Sequence, residues 1–258
     1  MTTKEIYKAY NIEYKNGKIL SPVFGFIAPF LKKGNSKVGE NVYTWSTLPT
    51  NQIFHVIING KSFDIKGTCN CHCIGCYATK GFYNMPGVVK SMAINTVLIR
   101  DYPEFVQNAI IAQIKAENLK TVRIDAAGDI ENSFISVFRK VAAECNDVIF
   151  WTYTKNKAAE NAFDDIPNFN IVKSVIPGIG INYGYCDHVL KAYNELKAHG
   201  ENVYICRCGI DKNQHCENCK ACQNNKYVLF IEHSTEYKAE KDKLFPVLKE
   251  VIENQPKQ

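Results

Sequence analysis

Two short runs hold nine of the eleven cysteines in this 258-residue chain. Residues 68–77 read T-C-N-C-H-C-I-G-C-Y. The second run opens at Cys206-x-Cys208 and continues through Cys216-x2-Cys219-x2-Cys222. Any fold of this chain must present each set of thiols on a short loop beside whatever they hold. A disulfide framework fits poorly, because the count is odd and the grouping tight. The N-terminus, Met-Thr-Thr-Lys-Glu-Ile-Tyr, lacks the apolar core of a signal peptide, and no apolar run approaches the length of a membrane span. The sequence therefore predicts a cytoplasmic protein with no membrane partner, in a reducing compartment where cysteine groups ligate metals or clusters.

The order of elements narrows the fold. At 46% hydrophobic and 22% charged residues the composition is ordinary, and the length suffices for one core with a small annex. The net charge of +5 permits an anionic or nucleic-acid partner without requiring one, and Lys32, Lys33 and Lys37 read as a solvated basic loop. Residues 1–61, broken by Gly25, Gly34, Gly39, Pro22, Pro29 and Pro49, predict a loop-rich extension that ends in a hairpin strand. That hairpin covers 53–67 and turns at Asn59-Gly60, its second strand entering the first cysteine loop. Helices are expected over 88–100, 103–118 with Pro103 in the first turn, 132–144 and 157–163. A further helix over 187–199 has Asp187 as cap and Gly200 as stop, and a last one starts near 241. Strands are expected over 121–125, 148–153, 170–176, 203–206 and 227–232. The body spans 62–234 with an inserted metal loop at 206–225 before the last strand, and 235–258 is the C-terminal helix. This alternation predicts a parallel sheet covered by helices, either open and doubly wound or a complete or partial barrel. In both, functional residues gather at the carboxyl ends of strands. Those ends are the first cysteine loop, Gly128-Asp129, Thr154-Lys155, the turn at 174–180, and Cys206 with Cys208.

The cysteine spacings suggest chemistry. Cys69, Cys73 and Cys76, spaced C-x3-C-x2-C, can hold three corners of an iron–sulfur cube and leave the fourth iron open to a ligand. A closed zinc site with Cys71 or His72 as fourth ligand is the alternative. Cys216, Cys219 and Cys222 follow a ferredoxin-like C-x2-C-x2-C step. The usual downstream cysteine is missing, so the fourth ligand comes from upstream, Cys208 first and Cys206 second. A second [4Fe-4S] cluster and tetrahedral zinc both fit there. His215 reads as exposed, and Cys145 as a small buried hydrophobe. Cys186, beside a helix N-terminus that would lower its pKa, is the candidate catalytic thiol, with plain packing as the alternative. Tyr183, Tyr185 and Trp151 can stack on a base, or simply fill the core.

The C-x3-C-x2-C run after a first strand, in a six-strand alternating chain, resembles the radical S-adenosylmethionine superfamily over roughly residues 62–234. The resemblance implies a partial (β/α)6 TIM-like barrel and an oxygen-sensitive [4Fe-4S] cluster on Cys69, Cys73 and Cys76. It implies S-adenosylmethionine on the open iron and reductive cleavage to a 5′-deoxyadenosyl radical, with flavodoxin or ferredoxin as electron donor. In that likeness Ala126-Ala127-Gly128-Asp129 takes the place of a turn that holds the methionyl amine, and Asp125 could serve instead. Tyr77, Thr154, Lys155 and Ser174 fall where other cofactor contacts lie. The superfamily's aromatic residue before the third cysteine is replaced by Gly75, and Tyr77 follows that cysteine instead. The run C-Y-A-T-K-G, with G-N-S-K-V-G-E-N-V-Y-T-W-S upstream, resembles the phage and mobile-element gene product 88 group. The expected substrate class is a nucleotide or nucleic acid. The rival reading is a non-catalytic iron–sulfur or zinc metalloprotein that binds nucleic acid or a protein, or a redox sensor.

Overall fold

The first fifty residues are more ordered than their glycines and prolines suggest. In the computed structural model, which describes residues 1–35, 38–70, 76–176, 178, 180–207, 214–231 and 238–255, helix α1 (Thr3–Ala9) opens the chain. A capping box starts it: Thr2 N donates to Glu5 Oε2 at 2.7 Å, and Glu5 N donates to Thr2 Oγ1 at 3.3 Å. Strands β1 (Tyr14–Lys15), β2 (Lys18–Ser21) and β3 (Gly25–Ile27) form an antiparallel meander. Cys71, His72, Cys73, Gly75, Cys208 and Lys37 lie outside the described residues, as does the side chain of Tyr183.

Strand β4 (Lys32–Lys33) pairs antiparallel with β5 (Tyr43–Thr44). The hairpin forms where expected, as β6 (Ile53–Ile58) and β7 (Lys61–Lys66). Asn59 and Gly60 both have positive φ, 51° and 79°, as a tight two-residue turn requires. It remains a separate two-stranded sheet, however. The first parallel strand of the main sheet is β5, and the residues beyond it continue the pairing: Trp45 N donates to Arg123 O, Ala126 N to Trp45 O, and Thr47 N to Ala127 O.

Helices α2 (Pro86–Asp101) and α3 (Pro103–Glu117), strand β8 (Thr121–Arg123), helix α4 (Asn132–Glu144) and strand β9 (Ile149–Thr154) fall close to the expected spans. Next come α5 (Lys157–Glu160), β10 (Phe169–Lys173), β11 (Val175–Ile176), β12 (Gly180–Ile181), β13 (Tyr183–Gly184) and α6 (Cys186–Ala198). The N-cap of α6 is Tyr185, and Asp187 sits in the first turn rather than capping it. Strand β14 (Val203–Ile205), the short helices α7 (Cys216–Cys219) and α8 (Ala221–Asn224), strand β15 (Tyr227–Ile231) and helix α9 (Lys238–Glu253) complete the order.

The main sheet runs β10-β9-β8-β5-β4 and is parallel from β10 to β5. A second sheet, β13-β15-β14, is also parallel, and Lys173 N donates to Lys226 O at 2.8 Å where the two meet. Strand β15 lies between β13 and β14, so the last two strands exchange places relative to chain order. The described strands make a mixed α/β arrangement of several small sheets, none closed.

Side-chain alternation divides the two faces. Val122, Phe150, Phe169 and Ile171 join α2, α3 and α4 in the main core, where Trp45 packs edge-on against Phe134 and Phe138. Leu229 and Ile231 join α6 and α9 in a smaller core. The opposite face carries Trp151, Tyr153, Val172 and Val228, and there the cysteine-bearing α7–α8 segment packs instead of a long helix. No described helix is long and apolar enough to cross a membrane.

Candidate functional site

A buried polar network ties the strand ends together. Asp125 follows β8 with φ at +49°, a left-handed conformation that is uncommon for any residue but glycine. Its Oδ1 accepts from Thr47 Oγ1 at 2.8 Å, while its Oδ2 is buried with no partner. Thr47 meets the Thr68 hydroxyl at 3.0 Å, and Thr68 Oγ1 accepts from Asp129 N at 2.9 Å. Asp129 Oδ1 accepts from Thr154 Oγ1 at 2.5 Å and from Ile130 N at 2.9 Å, and its Oδ2 accepts from Lys155 N at 3.1 Å. Both carboxyls are only 2% exposed. The hydroxyl chain thus joins β5, the segment entering the first cysteine loop, and the turns after β8 and β9. Cys69 lies at this network. Its N–H donates to Thr50 O at 3.0 Å, and its thiol is pushed well up by burial and by the charge of Asp129.

Burial raises Asp125 well above its ordinary 3.8 and raises Asp129 as well. Below that ordinary value both carboxyls are protonated in folded and unfolded chains alike, and the folded state carries no ionisation penalty. As pH climbs toward the native values the unfolded chain ionises first, so stability falls with rising pH. Asp125→Asn keeps the acceptor for Thr47 and removes the charge. It is expected to raise stability at neutral pH by about 1–2 kcal/mol, and to flatten the decline of Tm with pH followed by thermal melts.

The second cysteine group is built differently. Cys206 just after β14, Cys216 and Cys219 one turn apart on α7, and Cys222 on α8 line a single small cavity of about 10 Å³ with Trp151, Ala221 and Val228. Lys220, left-handed at φ 50°, makes the bend between α7 and α8. Tyr153 Oη donates to Cys222 Sγ at 2.9 Å, and burial pushes the Cys222 thiol up to about 12. Asn170 Nδ2 holds the Cys222 and Asn225 carbonyls at 2.8 and 3.0 Å, pinning α8 to β10. A metal bound here would take the cysteines as thiolates and displace their protons. Among the described residues, no three His, Cys, Asp or Glu side chains stand close enough together to hold a single metal ion.

The other expected site residues fall into place around these two features. Tyr77, 54% exposed, donates its hydroxyl to Ala126 O at 2.6 Å and accepts from Arg123 Nη2 at 3.1 Å. It thereby ties the residue after Cys76 to the Ala-Ala-Gly-Asp turn. Thr154 and Ser174 are buried, Thr154 against Asp129, and Ser174 N donates to Thr154 O. Gly128 has φ +94°, and a Cβ there would lie 2.0 Å from Thr47 Oγ1. Cys145 is buried, as expected. Cys186 is 1% exposed and packs in the smaller core with Val189 and Leu229, away from the Asp125–Asp129 network. His215 is half-buried at the head of α7 rather than exposed.

Sequence reasoning passed over Thr47, Thr68 and Arg123. Buried threonines in a polar-looking run announced the first two only weakly, and nothing local marked the arginine. These features define a mixed α/β protein whose sheet bears a thiol-lined cavity on one face and a buried carboxyl network at its strand ends. The chain belongs to the gene product 88 family, whose model matches residues 30–243. No curated protein and no solved structure matches it.

Proposed function

We propose that the chain is an iron–sulfur enzyme of the radical S-adenosylmethionine type. In this reading Cys69, Cys73 and Cys76 hold a [4Fe-4S] cluster, and the second cysteine group holds an auxiliary iron–sulfur or zinc centre. The observation that carries the reading is Asp125, an acid in a left-handed backbone conformation with one buried orphan oxygen, joined through Thr47 to Thr68, the residue before Cys69. Such an oxygen suits a ligand ammonium, since a buried acceptor without a donor is costly. The cluster would supply one electron, taken from a flavodoxin- or ferredoxin-like donor, to split the sulfonium bond into methionine and a 5′-deoxyadenosyl radical. The chain's own residues bind and orient. Asp125 receives the amine, Gly128 lets backbone approach closely, and Tyr77 fixes the loop against Ala126. Asp129 and Thr154 hold the two turns in register rather than facing a ligand. Helices on one face of the parallel strands support the partial-barrel reading, and the mild positive charge suits a nucleotide or nucleic-acid substrate.

A second reading has its own support. The auxiliary group packs on the sheet face against Trp151 and Val228, which suits a structural metal in a non-catalytic protein that binds nucleic acid or a partner. Anaerobic reconstitution separates the two. The enzyme should bind about eight iron and eight sulfide if both centres are cubanes, and release 5′-deoxyadenosine from S-adenosylmethionine under reductant. Cys69→Ala should abolish release and remove about half of the iron. Iron bound at the first loop without S-adenosylmethionine binding or cleavage would sink the enzymatic reading, and stoichiometric zinc in a colourless protein would favour the structural one.

A further inference from the structure

The segment between the first cysteine loop and α2 is firmly held, yet it turns large apolar side chains to solvent. Tyr77 donates its hydroxyl to Ala126 O at 2.6 Å, and Tyr83 donates to the same carbonyl at 3.4 Å. The two rings meet edge-on with centroids 5.7 Å apart. Within the segment, Thr79 Oγ1 donates to Cys76 O at 2.8 Å, Asn84 Nδ2 donates to Thr79 O at 2.7 Å, and Ala78 is buried. Against that anchorage, Phe82 is 78% exposed, Tyr77 54% and Met85 50%, whereas the next most exposed phenylalanine, Phe26, reaches only 41%. An anchored turn that holds an aromatic ring in water marks a contact surface rather than a frayed loop.

The charge around this turn is one-sided. No Asp or Glu occurs between Lys66 and Arg100, whereas Lys80 and Lys90 do. Neither lysine forms an ion pair among the described residues. Lys155, from the turn after β9, lies close enough to Asp129 and Cys69 for its charge to act on both, so it shares this end of the sheet. The acids there are buried, Asp125 and Asp129 at 2% exposed each, and Glu131 is taken by Arg100. The bias extends along the chain. Residues 1–100 hold 12 Lys and Arg against 4 Asp and Glu, a net +8, which leaves −3 on the other 158 residues of a chain at +5. Such asymmetry points to an anionic partner.

We propose that this rim binds single-stranded nucleic acid, with bases stacked on Phe82 and Tyr77 and phosphates met by Lys80, Lys90 and Lys155. Flat rings beside lysines are what an unpaired strand recognises, because its bases expose their faces and its backbone carries the charge. A duplex hides those faces. A lipid surface would want a broad apolar face instead. Here only Phe82, Tyr77 and Met85 stand out, and the helix that follows turns Met92, Ala93, Leu98 and Ile99 into the core. The inference rests on the proposed enzymatic reading only for the strand's being a substrate; the binding itself needs no cluster.

The test follows the fluorescence anisotropy of a labelled oligothymidylate of about 12 nucleotides titrated with the full chain. Phe82→Ala should weaken binding about tenfold or more, and Phe82→Leu nearly as much, because leucine keeps apolar bulk but not the stacking face. Both variants should match wild type in circular dichroism and melting, since the ring is exposed. Lys80→Gln with Lys90→Gln should lower the slope of log affinity against log salt by about 1.4. Wild-type affinity in both Phe82 variants, or equal binding of a duplex of the same length, overturns the proposal. So does binding to phosphatidylserine vesicles, lost in Phe82→Ala, by a chain that holds no strand. Strand binding with these losses, by a chain that releases no 5′-deoxyadenosine, upholds the surface while the enzymatic reading fails. Release of 5′-deoxyadenosine without strand binding does the reverse.

Discussion

Gly128→Ala is expected to destabilise the fold by about 3 kcal/mol or more. Two costs combine. The backbone at Gly128 has φ +94°, where L side chains rarely sit, which alone costs about 1 kcal/mol or more. The added Cβ would also lie 2.0 Å from Thr47 Oγ1 and 2.8 Å from Thr68 Oγ1. Neither hydroxyl is the free end of a long side chain. Each is buried and already engaged, Thr47 with Asp125 and Thr68 with the Asp129 N–H. Relief therefore has to break the network that joins β5, the entry to the first cysteine loop and the turn after β8. Denaturant unfolding of the variant gives the loss. Thr47→Ala in the same chain should recover part of it, because it removes the 2.0 Å contact but leaves the Thr47 Cβ at 3.1 Å and the unfavourable φ. A Gly128→Ala protein of unchanged stability would mean that the turn is looser than described, and that its glycine serves ligand approach alone.

The same turn shows what was legible in the sequence and what was not. Asn59-Gly60 fixed the hairpin because a two-residue turn needs positive φ at both positions, a local demand. Helices α3 and α4 were legible from their apolar period and from Pro103. Strand β5 was missed because its ladder is long-range: the partners of Trp45 and Thr47 lie at Arg123, Ala126 and Ala127, far along the chain. The run Tyr43-Thr44-Trp45-Ser46-Thr47 reads as a polar loop until β8 arrives beside it. The hydroxyls of Thr47 and Thr68 were hidden for the same reason, since their worth depends on an acid supplied by another strand. The cysteine spacing announced a thiol site at once. It did not show that Cys206 would share a cavity with Cys216, Cys219 and Cys222, or that Tyr153 would reach Cys222, because strand order decides both. Arg123, a single basic residue in a short strand, resembles any exposed arginine until alternation puts it on the face with Trp151 and Tyr153.

Asp129→Ala is the other substitution with a large expected effect, and it separates two roles for this acid. If Asp129 is a ligand acceptor, as its place in the turn first suggests, its removal should weaken cofactor binding and spare the fold. The structure favours the opposite. Thr154 Oγ1, Ile130 N and Lys155 N all donate to its carboxylate within the protein, and the group is 2% exposed. Alanine would leave three donors in a buried place without an acceptor, each worth about 1–3 kcal/mol when unsatisfied. Allowing for entry of a water, the expected loss is about 3 kcal/mol, read from the denaturant midpoint at unchanged slope. Asp129→Asn should cost less, because one oxygen remains. It is not neutral, since one amide N–H would face either the Lys155 N–H or the donors on the other side. In a cycle with Thr154→Val, the two substitutions should couple strongly: once Asp129 is gone, the Thr154 hydroxyl has lost its acceptor, and valine there relieves part of the penalty. Additive losses would show that the 2.5 Å contact contributes little. A stable Asp129→Ala protein that binds S-adenosylmethionine poorly would return the residue to the ligand-binding role, leaving Asp125 without its distinction as the acid with a vacant oxygen.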